Sequence, residues 1–187
     1  MSNKKKDVEI VEAEKEVTEV VEKKDSKLVK FIKELIPYVI ILIVVVLIRT
    51  YLFTPIMVSG PSMQPTLNGG ELMILNKLND DYERYDVVVV DIGREDIIKR
   101  IIAMPGESIS CEKGIIYVNG RRQDESYSKG ITFNFDKIVL GEDEYFVMGD
   151  NREDSKDSRH LGPIKVENIK GTTKLVLFPF SKIGNIE

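Results

Sequence analysis

The chain has 187 residues, 27 Lys+Arg against 31 Asp+Glu, and a formal net charge of -4. That length suits one compact domain with appendages, and near-balanced charge gives no electrostatic footprint for nucleic acid. A single cysteine, Cys111, and a single histidine, His160, exclude an intramolecular disulfide, a cysteine-based zinc cluster and a multi-histidine metal site, so neither metal nor cofactor is expected.

Residues 1–34 are dominated by Lys and Glu. Ile10, Val11, Ala13, Val17, Val20 and Val21 follow a loose helical period, which leaves a partner-binding helix open. Apolar residues this sparse and this rich in valine instead predict a solvated, disordered tail. Leu35–Phe53 follows, with no charge between Leu35 and Ile48. At about 1.5 Å per residue it matches the roughly 30 Å hydrocarbon core of a bilayer, which predicts a transmembrane helix. A cleaved leader would have a shorter apolar region starting nearer residue 1. Pro37 falls in the first turn, where proline is tolerated, and Arg49 is placed to snorkel to the interface beside Tyr51. Lys23, Lys24, Lys27, Lys30 and Lys33 precede the span, so the N-terminus is expected in the cytoplasm and residues 54–187 outside it, with the lipid bilayer as a partner.

Residues 54–187 read as mainly β. Glu71–Asn76, Asp86–Asp91 and Ile97–Met104 are short apolar runs bounded by polar residues or by Pro105-Gly106. Ser110-Cys111-Glu112 reads as strand, giving Cys111 a structural part. Gly114–Arg122 carries Asn119-Gly120, the pair suited to a type I′ hairpin turn. Glu144–Met148 and Lys174–Phe178 complete the pattern. Short strands at such spacing predict a sandwich or barrel-like domain.

Three segments stand out chemically. Ser62 lies in Val58-Ser-Gly-Pro-Ser-Met-Gln-Pro-Thr-Leu67, where Gly60, Pro61 and Pro65 impose unusual backbone geometry. Such a turn exposes a hydroxyl and aims a backbone N–H at a developing oxyanion, although similar sequences occur in ordinary loops. Lys99 interrupts the apolar run Ile97–Met104. Strand alternation sends Lys99 and Arg100 to opposite faces, so one of them faces a packed surface unless the strand is an edge. Burial lowers a lysine pKa, which an arginine cannot match, and a neutral amine near Ser62 would take its proton. The third segment, Gly149–Gly162, is dense in short polar side chains that lock a loop by their own hydrogen bonds; a plain surface loop fits its composition equally.

Taken in this order behind one apolar span, these segments resemble the type I signal peptidases. Ser62-Met63-x-Pro65-Thr66-Leu67 is similar to that family's nucleophile box, Lys99-Arg100 with Met104-Pro105-Gly106-Glu107 to its lysine box, and Gly149-Asp150-Asn151-Arg152-x-x-Ser155-x-Asp157-Ser158-Arg159 to its third box, with Asp86-Val87-Val88 between. The short stretch between Gly106 and Tyr145 resembles the compact Gram-positive members, and the family is similar in turn to the self-cleaving repressor proteases. The resemblance implies a signal-peptidase/repressor-protease-like β catalytic domain. It implies Ser62 as nucleophile, Lys99 as base and Ser155 orienting the Lys99 amine. Asp157 with Arg159 would form a supporting ion pair, and Asp150 and Arg152 would fix the loop. The second oxyanion donor found in some members is absent at Gly60, with Ser59 one residue back. Exported preproteins would bind as extended strands, with small residues at -1 and -3 from the cut and with Met63, Leu67 and Ile98 limiting the pockets. Open alternatives are a Ser62–His160 protease, a dedicated maturation protease, and an inactive tethered domain that only binds exported chains.

Overall fold

The structure, a computed structural model, describes residues 29–78 and 81–186. The chain divides into two units, Met1–Ile48 and Arg49–Glu187. Helix α1, Val29–Tyr51, is long and apolar enough to cross a membrane, and its side chains are exposed along its length. A helix apolar on every side needs an apolar environment all round. The expected tail lies outside the described residues as far as residue 28. Its last part is helical instead, because Val29, Phe31, Ile32 and Leu35 continue the apolar surface past Lys30 and Lys33. At the other end Phe53, expected in the span, already begins strand β1.

The second unit is mainly β, as expected. One 8-stranded sheet runs in the order β1 (Phe53–Met57), β2 (Leu72–Asn76), β11 (Ile169–Phe178), β3 (Val87–Asp91), β4 (Asp96–Ala103), β9 (Glu144–Met148) and β10 (Ile164–Lys165), with β12 (Gly184–Asn185) paired to β11. A 4-stranded sheet runs β7 (Arg121–Arg122), β6 (Ile115–Val118), β5 (Ser108–Glu112) and β8 (Phe135–Val139). Neighbouring strands are antiparallel throughout both sheets. The Asn119-Gly120 turn has φ of 51° and 73°, the positive pair a type I′ turn requires.

Val87–Val90 is buried on every residue, which is why it reads as a continuous apolar run rather than an alternating one. On one side Ile102, Phe146 and Met148 of the large sheet pack with Ile109, Cys111, Ile116 and Val118 of the small one. A second cluster gathers Val88, Val90, Ile101 and Val147 with Tyr82 and Ile169. A third ties Met63 and Leu67 to Val58, Met73, Val87 and Val176. Strand β11 starts well before Lys174 because Gly171, at φ 142°, lets it cross β2 closely. A Cβ there would sit 2.1 Å from the Asn76 carbonyl oxygen.

Phe146 joins the two sheets, fully buried and stacked on Phe135 with ring centroids 5.6 Å apart. Phe146→Ala is expected to cost about 3–5 kcal/mol in urea unfolding of the detergent-solubilised chain. A loss below about 1 kcal/mol would contradict a core shared by both sheets.

Candidate active site

The segment between β1 and β2 is closed at its base. The Val58 N–H donates to the Glu71 carbonyl at 2.8 Å and the Gly70 N–H to the Val58 carbonyl at 2.9 Å. Met63 and Leu67, 1% and 0% exposed, fasten its middle to the third apolar cluster. Ser62, next to Met63, is left half-buried. Its N–H donates to no protein acceptor among the described residues.

Strand β4 brings Lys99 to this loop. Lys99 Nζ donates to Ser62 Oγ at 2.9 Å and to the Ile98 carbonyl at 2.8 Å. The side chain is 3% exposed. Burial lowers its pKa from 10.5 to about 8, against the upward pull of Asp157, Asp150 and Glu95, while Arg159 lowers it further. Both acceptors are neutral, so the amine has no counterion in contact.

Arg100, on the opposite face of the strand, is equally buried. It grips Asp150 through Nε at 2.9 Å and Nη2 at 2.8 Å, and donates to the Tyr85 carbonyl at 3.0 Å. Its guanidinium lies 4.4 Å from the Tyr127 ring centroid. The Thr66 hydroxyl also donates to Asp150, tying the serine loop to the ion pair.

The loop after β9 packs against both. A Cβ on Gly149 would sit 2.2 Å from Ser155 Oγ and 2.5 Å from the Ser62 carbonyl oxygen, so only glycine permits this approach. The Asn151 N–H donates to the Ser62 carbonyl at 3.0 Å, and Asn151 Nδ2 to the Pro61 carbonyl at 3.2 Å. Asp157 accepts from the Gly149 N–H at 2.9 Å, Ser155 Oγ at 2.7 Å, and Arg159 Nε and Nη2 at 2.8 Å each. It also caps the short helix α2, Ser158–Leu161. Burial pushes the Asp157 carboxyl up, but the Arg159 bonds and charge, with Gly149 and Ser155, outweigh that and hold it below its ordinary value. Arg152 bonds Glu125 at 3.0 and 2.7 Å, the Gly149 carbonyl at 3.1 Å and Thr132 Oγ1 at 3.0 Å.

The structure therefore gathers Ser62, Lys99, Asp150, Arg152, Ser155, Asp157 and Arg159 around one centre. Ser155 sits differently from the expectation. Its hydroxyl donates to Asp157, and the Lys99 amine donates to Ser62 and the Ile98 carbonyl instead. Of the expected pocket residues, Ile98 alone keeps part of its side chain exposed, while Met63 and Leu67 lie inside. His160 is exposed on α2 and bonds neither Ser62 nor Lys99. Glu125 and Tyr127 escaped the sequence reading: they come from an irregular polar stretch without period or motif, which tertiary contacts alone bring to the site, the Lys129–Asn151 bridge, the Arg152–Glu125 bonds and Arg100 over the Tyr127 ring.

Asp150 is 0% exposed, so removing its partner strands a buried charge. Arg100→Met is expected to destabilise the protein by about 3–5 kcal/mol, read by urea unfolding. A neutral effect would mean that Asp150 has another counterion.

Comparison with known proteins places this geometry in context. The family model described as "Signal peptidase, peptidase S26" matches residues 28–178. A signal peptidase I P of Bacillus subtilis subsp. natto is 38% identical over 86% of this chain and 95% of its own length. A signal peptidase I S of Bacillus subtilis (strain 168) is 35% identical over 78% and 88%. A crystal structure of a signal peptidase I from Enterococcus faecalis aligns with 49% of this chain and 96% of its own, at 29% identity and a TM-score of 0.45. With the family model spanning most of the chain and relatives matching nearly end to end, the chain belongs to the peptidase S26 family of signal peptidases.

Proposed function

We propose that this peptidase removes N-terminal signal peptides from exported preproteins by a Ser62–Lys99 dyad, while α1 holds it in the cell membrane with its N-terminus cytoplasmic and its β domain outside. The observation that carries this reading is the buried Lys99 amine 2.9 Å from the Ser62 hydroxyl oxygen, with a pKa near 8. At that value a substantial fraction is neutral at mildly alkaline pH, and a neutral amine accepts the hydroxyl proton.

The reaction is acyl transfer. As Ser62 Oγ attacks the scissile carbonyl carbon, its proton passes to Lys99 Nζ and the carbonyl electron pair moves onto oxygen. The Ser62 N–H receives that oxyanion. Collapse breaks the C–N bond, and Lys99 returns the proton to the leaving amine, giving an ester on Ser62. Lys99 then takes a proton from water, the hydroxide attacks the ester, and Ser62 leaves with the proton. Asp157, held by Arg159 and Ser155, and Asp150, held by Arg100, keep the surrounding loops in place. The substrate binds as an extended strand, with Ile98 facing it and Met63 and Leu67 supporting the pocket floor behind, a shape suited to small residues at -1 and -3. An exposed His160 without a bond to Ser62 supports lysine over histidine as the base.

The test uses detergent-solubilised protein and a secretory precursor. Ser62→Ala, Lys99→Ala and Lys99→Arg should each lower kcat/KM by at least about 1,000-fold, whereas His160→Ala should cut at the wild-type rate. Lys99→Arg keeps the charge but offers no neutral base, so activity retained there sinks the mechanism. The base must be deprotonated, so kcat/KM should fall with decreasing pH below an inflection near 8. A flat profile between pH 6 and 9, assay values chosen to bracket that inflection by roughly a unit or more, would show that Lys99 is not the titrating group.

A further inference from the structure

We infer that Asn151 is the positioning residue for the oxyanion hole, holding the Pro61–Ser62 peptide so that the Ser62 N–H points at the developing oxyanion. This rests on the proposed function above and names a residue for a task that reading leaves unassigned.

One residue grips the backbone on both sides of the nucleophile. Asn151 N–H donates to the Ser62 carbonyl at 3.0 Å, and Asn151 Nδ2 donates to the Pro61 carbonyl at 3.2 Å. The two peptide planes that meet at the Ser62 α-carbon are therefore both pinned from the loop after β9. In a trans peptide the C=O and N–H are coplanar and point in opposite directions. The Pro61 carbonyl and the Ser62 N–H belong to the same peptide, so fixing one fixes the other. The Pro61 carbonyl also accepts from the Gln64 N–H at 3.0 Å, which fills its second lone pair. Each bond drawn to that oxygen polarises the peptide and makes the Ser62 N–H a better donor. The amide orientation of Asn151 is not arbitrary, because a carbonyl acceptor demands the NH2 end.

Asn151 is itself held in place. It forms a parallel bridge with Lys129, flanked by the Lys129 N–H bond to the Asp150 carbonyl and the Arg152 N–H bond to the Lys129 carbonyl, each 2.8 Å. Only 9% of the residue is exposed. Asp150 and Arg152 on either side are locked into their own ion pairs. Donors preset in this way need no reorganisation when the negative charge develops, and a small misplacement is costly.

The experiment compares wild type with Asn151→Ala and Asn151→Asp in full-length, detergent-solubilised protein. It follows precursor cleavage and binding of a substrate-derived peptide aldehyde, whose carbonyl carbon takes Ser62 Oγ and whose oxygen then occupies the oxyanion position. Asn151→Ala should lower kcat by roughly 10- to 100-fold, less than the loss of an oxyanion donor itself, while KM changes by less than about 2-fold. Aldehyde affinity should fall in step with kcat, and the acid inflection of kcat/KM should stay where it is in wild type. Asn151→Asp preserves shape but sets a carboxylate oxygen against the Pro61 carbonyl, so it should be no more active than Asn151→Ala. Higher activity in Asn151→Asp would assign Asn151 to packing and overturn the inference. A loss confined to KM, an unchanged aldehyde affinity, or a loss merely proportional to the fraction unfolded by thermal melting would overturn it equally. Ser62→Ala and Lys99→Ala run alongside. If they remain active the dyad reading itself fails, whereas their inactivity beside full kcat in Asn151→Ala sinks this assignment alone.

Discussion

The structure depends on keeping one ammonium group out of water without giving it a counterion. Lys99 touches only a hydroxyl oxygen and a carbonyl oxygen, both neutral. Desolvation then favours the free amine. Of the three carboxylates that act on it electrostatically, Asp157 and Asp150 pull harder than Glu95, and either would raise its pKa again as a direct partner. Each is committed elsewhere. Asp157 is held by Arg159 and two hydrogen-bond donors, and Asp150 by a bidentate Arg100 and the Thr66 hydroxyl. The arginines therefore do more than brace loops: they absorb the negative charge that would otherwise claim the lysine.

The same commitments fix geometry. The serine loop, β4 and the loop after β9 are distant in sequence, and three kinds of contact bind them. Apolar anchors at Met63 and Leu67 set the depth of the serine loop. Gly149 allows contact closer than any side chain would. Asn151 and Thr66 stitch the loop to the ion pairs through hydrogen bonds. None of these alone sets the Ser62–Lys99 distance. Their joint effect leaves the loop no rotation that is free of cost, which is what a preorganised site requires.

Much of this was legible in the sequence, for identifiable reasons. Asp86–Asp91 and Glu144–Met148 were readable because central strands buried on both faces are apolar on consecutive residues. The Asn119-Gly120 hairpin was readable because a positive-φ turn demands those residue types. Lys99 was conspicuous because an isolated charge in an apolar strand violates its surroundings. The start of β11 was not legible, since Lys170-Gly171-Thr172-Thr173 has neither apolar run nor alternation and its register shifts at bulges. Strand β1 was hidden by its proximity to the apolar helix. The Ser155 bond to Asp157 was not legible, because the motif does not show which neighbour the folded loop sets against the hydroxyl. Glu125 and Tyr127 had no local signal at all, because their contribution arises only when the fold sets them against Arg152 and Arg100.

Preorganisation of this kind has a thermodynamic signature whose sign is fixed by the shifts themselves. Lys99 has a folded pKa near 8, below its ordinary 10.5. Between those values the unfolded chain binds a proton that the folded chain does not, so stability rises with pH across that window. Below it both states are protonated, and the fold carries the full penalty of a buried ammonium, on the order of a few kcal/mol. Asp157 runs the other way. Its folded pKa is held below the ordinary 3.8, so its stabilisation is present above that value and is lost only as the pH falls through the folded pKa. At neutral pH the domain therefore holds one destabilising group and one stabilising group within a single hydrogen-bonded cluster. The destabilising one is the group the proposed mechanism uses, and the stabilising one, together with the buried strands behind it, is what allows the fold to tolerate it.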